Sequence, residues 1–328
     1  MLLDYLFTFL LQNGCYKINL MKILITDNVD SVLLDLLTEN DINYEHNVSD
    51  SQNVLLKKIH LFDGMIVRNR LRIDAKFLEQ AKHLKFIGRY GSGMEAIDVK
   101  KAEELNIKCF NSAKGNANSV GEHALGMLMC LFHNINNSAT QLKKFIWERE
   151  INRGIELEGK TIGIIGYGNT GQAFSKKLIG FGCKILSYDK YKSNFTDEYV
   201  QECPMSRIYQ ECDIISLHIP LNNETTYLLN TQFIESMEKP FYLINTSRGC
   251  VVSNKDLIIG LKSKKILGAC LDVIENENPK FSKINIDKDL NYLLNCKRVI
   301  MTPHIAGLSK ESNQKLSKLL VNKILELK

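Results

Sequence analysis

Blocks of like charge, paired cysteines and low-complexity tracts are all missing from this chain of 328 residues. The formal net charge is +5, but Lys and Arg are interleaved with Asp and Glu, which argues against a nucleic-acid-binding surface. The nine cysteines form no C-x-x-C pair and no short regular spacing, so we expect reduced core thiols, no metal site and a cytoplasmic protein. With 45% hydrophobic and 24% charged residues, the composition is that of an ordinary globular protein of about two domains.

The first eleven residues (MLLDYLFTFLL) are almost wholly apolar, yet they fit neither a membrane anchor nor a signal peptide. The run is too short to cross a bilayer, Asp4 interrupts it, and no Lys or Arg precedes it. Met21 then opens a buried-strand pattern, KILIT. We therefore expect residues 1–20 to be a dispensable extension and the protein to make no membrane contact.

Short apolar runs alternate with helix-like stretches in two series, which predicts two doubly wound α/β domains with parallel sheets. The first series holds KILIT, GMIV, LKFIG and NIKCF, and the second holds TIGII, KILSY, DIISL, FYLIN, ILGACL and RVIM. Six runs in the second series match the strand count of a dinucleotide-binding fold. The predicted helices are Asp30–Glu39, Ala75–Lys82, Val99–Leu105, Ser119–Ile135, Ser138–Arg149 and Lys310–Leu327.

The segment TIGIIGYGNTG carries the strongest local signal, because it follows a predicted strand and opens a predicted helix. Gly166 permits the tight turn, Gly168 lets the backbone approach a pyrophosphate, and Gly171 lets helix and sheet pack closely. The helix N-terminus supplies amide donors to the phosphates. This context indicates a dinucleotide cofactor.

Asp189 closes the next predicted strand, about 20 residues after the glycines, as the fingerprint requires. Its carboxylate can accept hydrogen bonds from both ribose hydroxyls and would repel a 2′-phosphate, which predicts NAD rather than NADP. Lys190 and Lys192 lie beside it and act in the opposite direction.

Three polar residues follow apolar runs of the second series, at the sheet edge where ligands bind in such folds. Arg248 lies in NTSRG and can hold a carboxylate and a carbonyl oxygen together. His304 lies in TPHIAG and is suited to move a proton near neutral pH. Glu277 lies in LDVIENENP and could orient the imidazole. Taken singly, each residue type also occurs in surface ion pairs and strand ends.

From about Met21 to its end, the chain resembles the D-isomer-specific 2-hydroxyacid dehydrogenase family. The resemblance rests on the glycine motif with its later Asp, on NTSRG, on LDV-x-x-x-E and on TPH-x-x-G, all in order and at fitting spacing. It implies that Arg248 anchors the substrate, that His304 is the general acid/base and that Glu277 is its partner. It also implies a Rossmann-type cofactor domain, 119–305, inserted into a flavodoxin-like substrate domain, 21–118 and 306–328.

Further site residues follow from the same resemblance. The GRYGSG segment resembles the loop whose amides at Ser92 and Gly93 hold the substrate carboxylate. The positions that match cofactor contacts are Ser92, Val120, Gly166, Gly168, Asn169, Thr170, Gly171, Asp189, Ile219, Pro220, Thr246, Asp272 and Gly307.

The chain departs from the family pattern in three places. Ala113 stands where the family usually has Pro, Asn169 stands where an Arg often touches the pyrophosphate, and Asn278 separates Glu277 from the following Pro. The third departure leaves Glu275 as a competing partner for the histidine.

Two arginines bear on the choice of substrate. Arg68 is similar to the Arg that phosphoglycerate dehydrogenases bring to the substrate phosphate, and Arg149 resembles a second one that a neighbouring subunit supplies. They favour oxidation of D-3-phosphoglycerate in serine biosynthesis, by a form without the regulatory domain. A D-lactate dehydrogenase, a glyoxylate or hydroxypyruvate reductase, and a non-enzymatic NAD-sensing corepressor remain as alternatives. The helices within 119–149 suggest a homodimer or homotetramer.

Overall fold

The computed structural model describes residues 21–275, 277 and 286–327. The predicted dispensability of residues 1–20 and the departure at Asn278 fall outside this part of the chain. Contacts divide the chain into two compact units. Of the described residues, the first unit holds 21–90, Ala96–Phe110 and 320–327, and the second holds Gly91–Glu95 and Asn111–Leu319. Along the chain, the two units meet at residues 110 and 320, whereas the sequence predicted domain boundaries at 118 and 306. The exact domain boundaries stay a prediction.

Five strands form the sheet of the first unit, in the order β2-β1-β3-β4-β5 that flavodoxin-like folds have. The strands are β1 (Lys22–Ile25), β2 (Asn43–His46), β3 (Gly64–Val67), β4 (Phe86–Arg89) and β5 (Lys108–Asn111). The helices between them are α1 (Ser31–Glu39), α2 (Gln52–Lys58), α3 (Ala75–Gln80) and α4 (Val99–Glu104). Aspartates fix where three of these helices begin, because the side chains of Asp30, Asp74 and Asp98 accept hydrogen bonds from first-turn amides.

The second unit contains a seven-stranded parallel sheet in the order β12-β11-β10-β9-β6-β7-β8. Its strands are β6 (Thr161–Ile165), β7 (Lys184–Tyr188), β8 (Val200–Glu202), β9 (Ile214–Leu217), β10 (Phe241–Asn245), β11 (Ile266–Leu271) and β12 (Val299–Met301). The helices are α5 (Ala117–Phe132), α6 (Ile135–Leu142), α7 (Asn169–Lys177), α8 (Met205–Glu211), α9 (Thr231–Ser236), α10 (Asn254–Lys262), α11 (Lys288–Asn295) and α12 (Lys310–Leu325), the last of which runs on into the first unit. The strand order reverses beside β6, as in Rossmann folds, and the predicted doubly wound fold class is confirmed.

Two strands and one helix end differ from the sequence-based prediction. β2 and β8 were missed because both lie at sheet edges, where half-exposed residues such as NYEH carry no apolar run. The helix predicted over Ser138–Arg149 is wrong in its second half. α6 ends at Leu142, and Phe145 adopts a left-handed backbone (φ 59°) that no α-helix continues through.

The strands of the second sheet end level with one another, and this alignment positions the site. Asn245, Leu271 and Met301 are paired in register at the carboxyl ends of β10, β11 and β12. Ile165 is likewise paired with Leu217 at the ends of β6 and β9. Polar residues that follow these strands therefore emerge at one edge. Among the described residues, no helix combines the length and apolar character that crossing a membrane requires.

Candidate active site

The glycine-rich turn after β6 is closed by backbone contacts that leave no room for side chains. Gly166 has φ 95°, and a Cβ there would lie 2.4 Å from the His218 carbonyl oxygen. A Cβ on Gly171 would lie 2.1 Å from the Gly166 carbonyl oxygen. By contrast, a Cβ on Gly168, which directly precedes α7, would meet nothing within 4 Å. The turn thus presents open backbone at the N-terminus of a nine-residue helix, as phosphate binding requires.

Asp189 follows β7 and ties its own loop to the glycine turn. One carboxylate oxygen accepts a hydrogen bond from the Tyr167 amide at 2.8 Å, and the other accepts from the Tyr191 and Lys192 amides at 2.9 and 3.1 Å. The ammonium of Lys192 bonds to the Tyr167 carbonyl oxygen at 3.0 Å. That of Lys190 pairs with Glu224 at 2.8 Å. Both lysines beside Asp189 therefore have partners within the protein, which agrees with an NAD site.

Two buried polar atoms at this edge have no hydrogen-bond partner within the described part of the chain. They are Thr246 Oγ1, after β10, and His218 Nδ1, after β9. Burial lowers the pKa of His218 to about 3, so the ring is neutral and can donate or accept a hydrogen bond. Together with the open Gly168 and the carboxylate of Asp189, these atoms fit a dinucleotide that supplies the missing partners.

His304 and Glu277 form the histidine–carboxylate pair that the sequence predicted as one of two possibilities. Nδ1 of His304 lies 2.8 Å from Glu277 Oε2, and both side chains are about three-quarters buried. Glu275 is used elsewhere: its carboxylate accepts hydrogen bonds from the Tyr227 hydroxyl at 2.7 Å and from the Asn254 amide at 2.9 Å. The carboxylate that contacts the imidazole is that of Glu277.

Asp272 fixes the turn that carries His304. Its side chain is 1% exposed and accepts hydrogen bonds from the Thr302 hydroxyl at 2.6 Å and from the Ile305 and Ala306 amides, both at 2.8 Å. His304 itself has a left-handed backbone (φ 55°), an unfavourable conformation for a residue other than glycine. These bonds hold the ring in place. The resemblance assigned Asp272 to the cofactor, and the geometry adds this structural role.

Arg248 follows β10, and both sides of its guanidinium have acceptors. Nε donates to Glu95 Oε1 at 2.7 Å, and Nη1 donates to the Ser247 carbonyl oxygen at 2.7 Å. Gly249 must be glycine, because a Cβ there would lie 1.7 Å from the Ile274 carbonyl oxygen. Sequence reasoning missed Glu95, although an acidic residue two positions after the GSG loop was the available signal.

Hydrogen bonds join the loop that holds Ser92 and Gly93 to residues 111–116 of the same unit. The Ser92 hydroxyl donates to Asn116 Oδ1 at 2.9 Å, and the Asn111 side-chain amide donates to the Ser92 carbonyl oxygen at 2.8 Å. Gly307 lies close to the same Asn116, since a Cβ there would be 2.6 Å from its Nδ2. Neither asparagine bond was foreseen, because nothing in the sequence marks these amides apart from other polar loop residues.

The remaining predicted positions divide into two groups. At the carboxyl edge of the second sheet lie Asn169 and Thr170, which open α7, and the loop residues Ile219 and Pro220, and Val120 is buried on α5. Elsewhere lie Arg68, which follows β3 in the first unit, and Arg149, which is exposed after α6. The strand ends therefore gather the predicted catalytic and cofactor residues of the second unit.

Comparison with known proteins gives consistent matches. The family model described as the NAD binding domain of D-isomer specific 2-hydroxyacid dehydrogenases matches residues 125–306. Hydroxypyruvate reductase of Thermotoga maritima is 35% identical over 92% of this chain and 97% of its own length. D-3-phosphoglycerate dehydrogenase of Methanocaldococcus jannaschii is 34% identical over 92% of this chain, which spans only 56% of that longer protein. The structure of Aquifex aeolicus D-lactate dehydrogenase with NAD and lactic acid has 25% identity and a TM-score of 0.81, covering 93% of this chain and 95% of its own.

Two glycine substitutions separate folding from dinucleotide binding. Gly168→Ala adds a methyl group in open space, so we expect an unchanged melting temperature but NADH binding weakened about tenfold or more, because the methyl group would crowd the phosphates. Gly171→Ala drives a methyl group into a carbonyl oxygen and should destabilise the fold by roughly 1–3 kcal/mol. Thermal melts and NADH fluorescence titration measure both effects. Wild-type NADH affinity in Gly168→Ala would contradict the placement of the phosphates.

Proposed function

Because the chain belongs to the D-isomer-specific 2-hydroxyacid dehydrogenase family and is an NAD-dependent oxidoreductase acting on a CH–OH group, we propose that it oxidises D-3-phosphoglycerate to 3-phosphohydroxypyruvate. The proposal includes a place in serine biosynthesis and in the cytoplasm. The relatives are enzymes, so the interpretation as a non-enzymatic corepressor is set aside.

The observation that carries the choice of substrate is the state of Arg68. Its guanidinium forms no hydrogen bond or ion pair within the described residues, and it lies 5.9 Å from the centre of the Tyr90 ring. The arginines around it are committed: Arg70 donates to three backbone carbonyl oxygens, and Arg89 donates to Tyr90 and Asn69. A half-buried guanidinium without an anion supports a phosphate on the substrate.

In the proposed reaction, Arg248 and the amides of Ser92 and Gly93 hold the substrate carboxylate. His304 accepts the proton of the C2 hydroxyl at Nε2, the ring nitrogen opposite Glu277, whose carboxylate stabilises the resulting imidazolium. NAD, when bound, supplies the acceptor for the hydride that leaves C2. The carboxylate grip orients the substrate, and the histidine moves the proton.

Substitutions of the histidine and the two glutamates test this division of roles. His304→Ala should lower kcat by roughly 10²- to 10⁴-fold, because the positioned base is lost, while NADH still binds. Glu277→Gln should lower kcat, since a neutral amide orients the ring less firmly and stabilises the imidazolium formed during proton transfer less than a carboxylate does. Glu275→Gln is the matched control, because that carboxylate caps α10 and does not touch the ring. Steady-state kinetics across pH measures all three, and a His304→Ala enzyme with most of its turnover would refute the assignment.

A second candidate function is reduction of hydroxypyruvate. It is favoured by the match to the Thermotoga maritima reductase, which is 35% identical to this chain over 97% of its own length, whereas the chain spans 57% and 56% of two phosphoglycerate dehydrogenases. Reduction of glyoxylate or pyruvate belongs to the same alternative. These substrates lack the phosphate that we assign to Arg68.

A substrate panel distinguishes the candidates. We expect kcat/KM to be higher for 3-phosphohydroxypyruvate than for hydroxypyruvate. Arg68→Met should reduce the ratio of these two kcat/KM values about tenfold or more, because it raises KM for the phosphorylated substrate only. Arg72→Met is the control, since Arg72 is an exposed arginine on the same loop. Equal kcat/KM for the two substrates, unchanged in Arg68→Met, would favour the reductase.

We also propose that the chain forms a homodimer through the segment after α5. Leu142, Phe145, Trp147 and Ile151 are 53%, 99%, 79% and 67% exposed, which places a large apolar surface in water unless a second copy covers it. Two copies of one chain commonly pair through such a self-complementary patch. Arg149 lies within this segment, which is compatible with its proposed delivery to the neighbouring subunit.

The dimer is tested by a double substitution, Phe145→Ser with Trp147→Ser. The wild type should sediment as a dimer or tetramer at micromolar concentration, and the variant should sediment as a monomer, because about 25 cal/mol is lost per Å² of apolar contact. Exposed Tyr199→Ser with Ile259→Ser serves as the control pair. A monomeric wild type would contradict the proposal.

A further inference from the structure

Glu95 contacts the residue that the proposed function makes the substrate anchor. Its carboxylate accepts the Nε–H of Arg248 at 2.7 Å, although the two residues are separated by 153 positions in the chain. The side chain of Glu95 is 43% exposed and that of Arg248 is 27% exposed, so the pair lies near the protein surface rather than in the core. An exposed pair of this kind adds little to stability, which calls for another explanation of its geometry.

The N–H groups of the Arg248 guanidinium have different partners. Glu95 takes Nε–H and the Ser247 carbonyl oxygen takes one Nη1–H, so two of the five N–H groups are directed to the protein. Nη2 and the second carboxylate oxygen of Glu95 both lie beside Gly93, since a Cβ there would be 2.2 Å from Nη2 and 2.1 Å from Glu95 Oε2. Gly93 belongs to the loop whose amides we assign to the substrate carboxylate. The Glu95–Arg248 pair therefore lies next to that loop, and Nη2 carries N–H groups besides those that Glu95 Oε1 and the Ser247 carbonyl oxygen accept.

The chain segment that carries Glu95 is held in place independently of Arg248. Hydrogen bonds from Ser92 to Asn116 and from Asn111 to the Ser92 carbonyl oxygen fasten the loop, and a further one joins the Gly91 amide to Ser112 Oγ at 3.1 Å. These residues and Arg248 belong to the same compact unit. Glu95 can thus act as a fixed reference for the guanidinium.

We infer that Glu95 is a positioning residue, which holds the Arg248 guanidinium by Nε so that its terminal nitrogens face the carboxylate of the 2-hydroxy acid. This inference rests on the proposed role of Arg248. A long arginine side chain otherwise samples several rotamers, and fixing one of them before binding removes that entropic cost from substrate association. The carboxylate of Glu95 also offsets part of the guanidinium charge, so orientation is gained at the expense of some long-range attraction.

Three substitutions at this exposed position test the inference. Glu95→Ala removes the acceptor and should raise KM for the 2-oxo acid and lower kcat/KM by about 10- to 100-fold, because the anchor is misplaced. Glu95→Asp is too short to reach Nε and should behave in the same way. Glu95→Gln keeps an acceptor oxygen and should restore kcat/KM to within about threefold of the wild type. Glu103→Ala, an exposed glutamate in α4, is the control.

A binding measurement complements the kinetics. Oxamate, an isostere of a 2-oxo acid, is titrated into the enzyme–NADH complex and followed by NADH fluorescence, and Glu95→Ala should weaken its binding while NADH affinity stays unchanged. Tighter oxamate binding or a lower KM in Glu95→Ala would overturn the inference, because it would show that Glu95 competes with the substrate for Arg248. Unchanged values in all three variants would overturn it as well. Failure of the proposed function is separate: the wild type would then turn over no 2-hydroxy acid.

Discussion

The buried carboxylate of Asp272 is the constraint on which the candidate site depends. A charge at 1% exposure costs several kcal/mol unless hydrogen bonds compensate it, and here three donors from a single turn do so. In return, the turn is held in a conformation that places His304 at φ 55°. The hydrogen bonds that compensate the buried carboxylate of Asp272 thus also stabilise the strained backbone of His304. The strain lies at the residue to which we assign the proton transfer.

Close approach between backbone segments also holds turns in place at the carboxyl edge of the second sheet. Gly166, Gly171 and Gly249 each lie where a Cβ would come within 2.5 Å of a carbonyl oxygen. Turns packed this tightly have few alternative conformations, so the backbone amides beside them and the guanidinium of Arg248, which directly precedes Gly249, are ordered before a ligand arrives. These three turns therefore behave as extensions of the sheet rather than as mobile connections.

The sequence predicted most of the fold and the main part of the site, and the physical reason is the same for both. Buried parallel strands need continuous apolar runs, and a dinucleotide turn needs glycines at set positions, so KILIT, TIGII and the glycine motif are visible without a structure. The edge strands β2 and β8 leave no such trace, because half of each is in water. The end of α6 at Leu142 was missed for another reason: the left-handed Phe145 has no sequence signature of its own.

Side-chain pairs were the least predictable part of the site, since they depend on distances in space. The sequence left Glu275 and Glu277 open as partners of His304. The two residues are only two positions apart, yet Glu277 contacts the imidazole and Glu275 caps α10. The position of Glu95 just after the GSG loop was an available signal, but the sequence could not show that it would contact Arg248. Both cases follow one rule: a carboxylate beside a cationic or protonatable group orients it and also reduces its net charge. At His304 the carboxylate fixes the direction of the imidazole, and at Arg248 we propose that it exchanges some long-range electrostatic attraction for a fixed direction of the guanidinium.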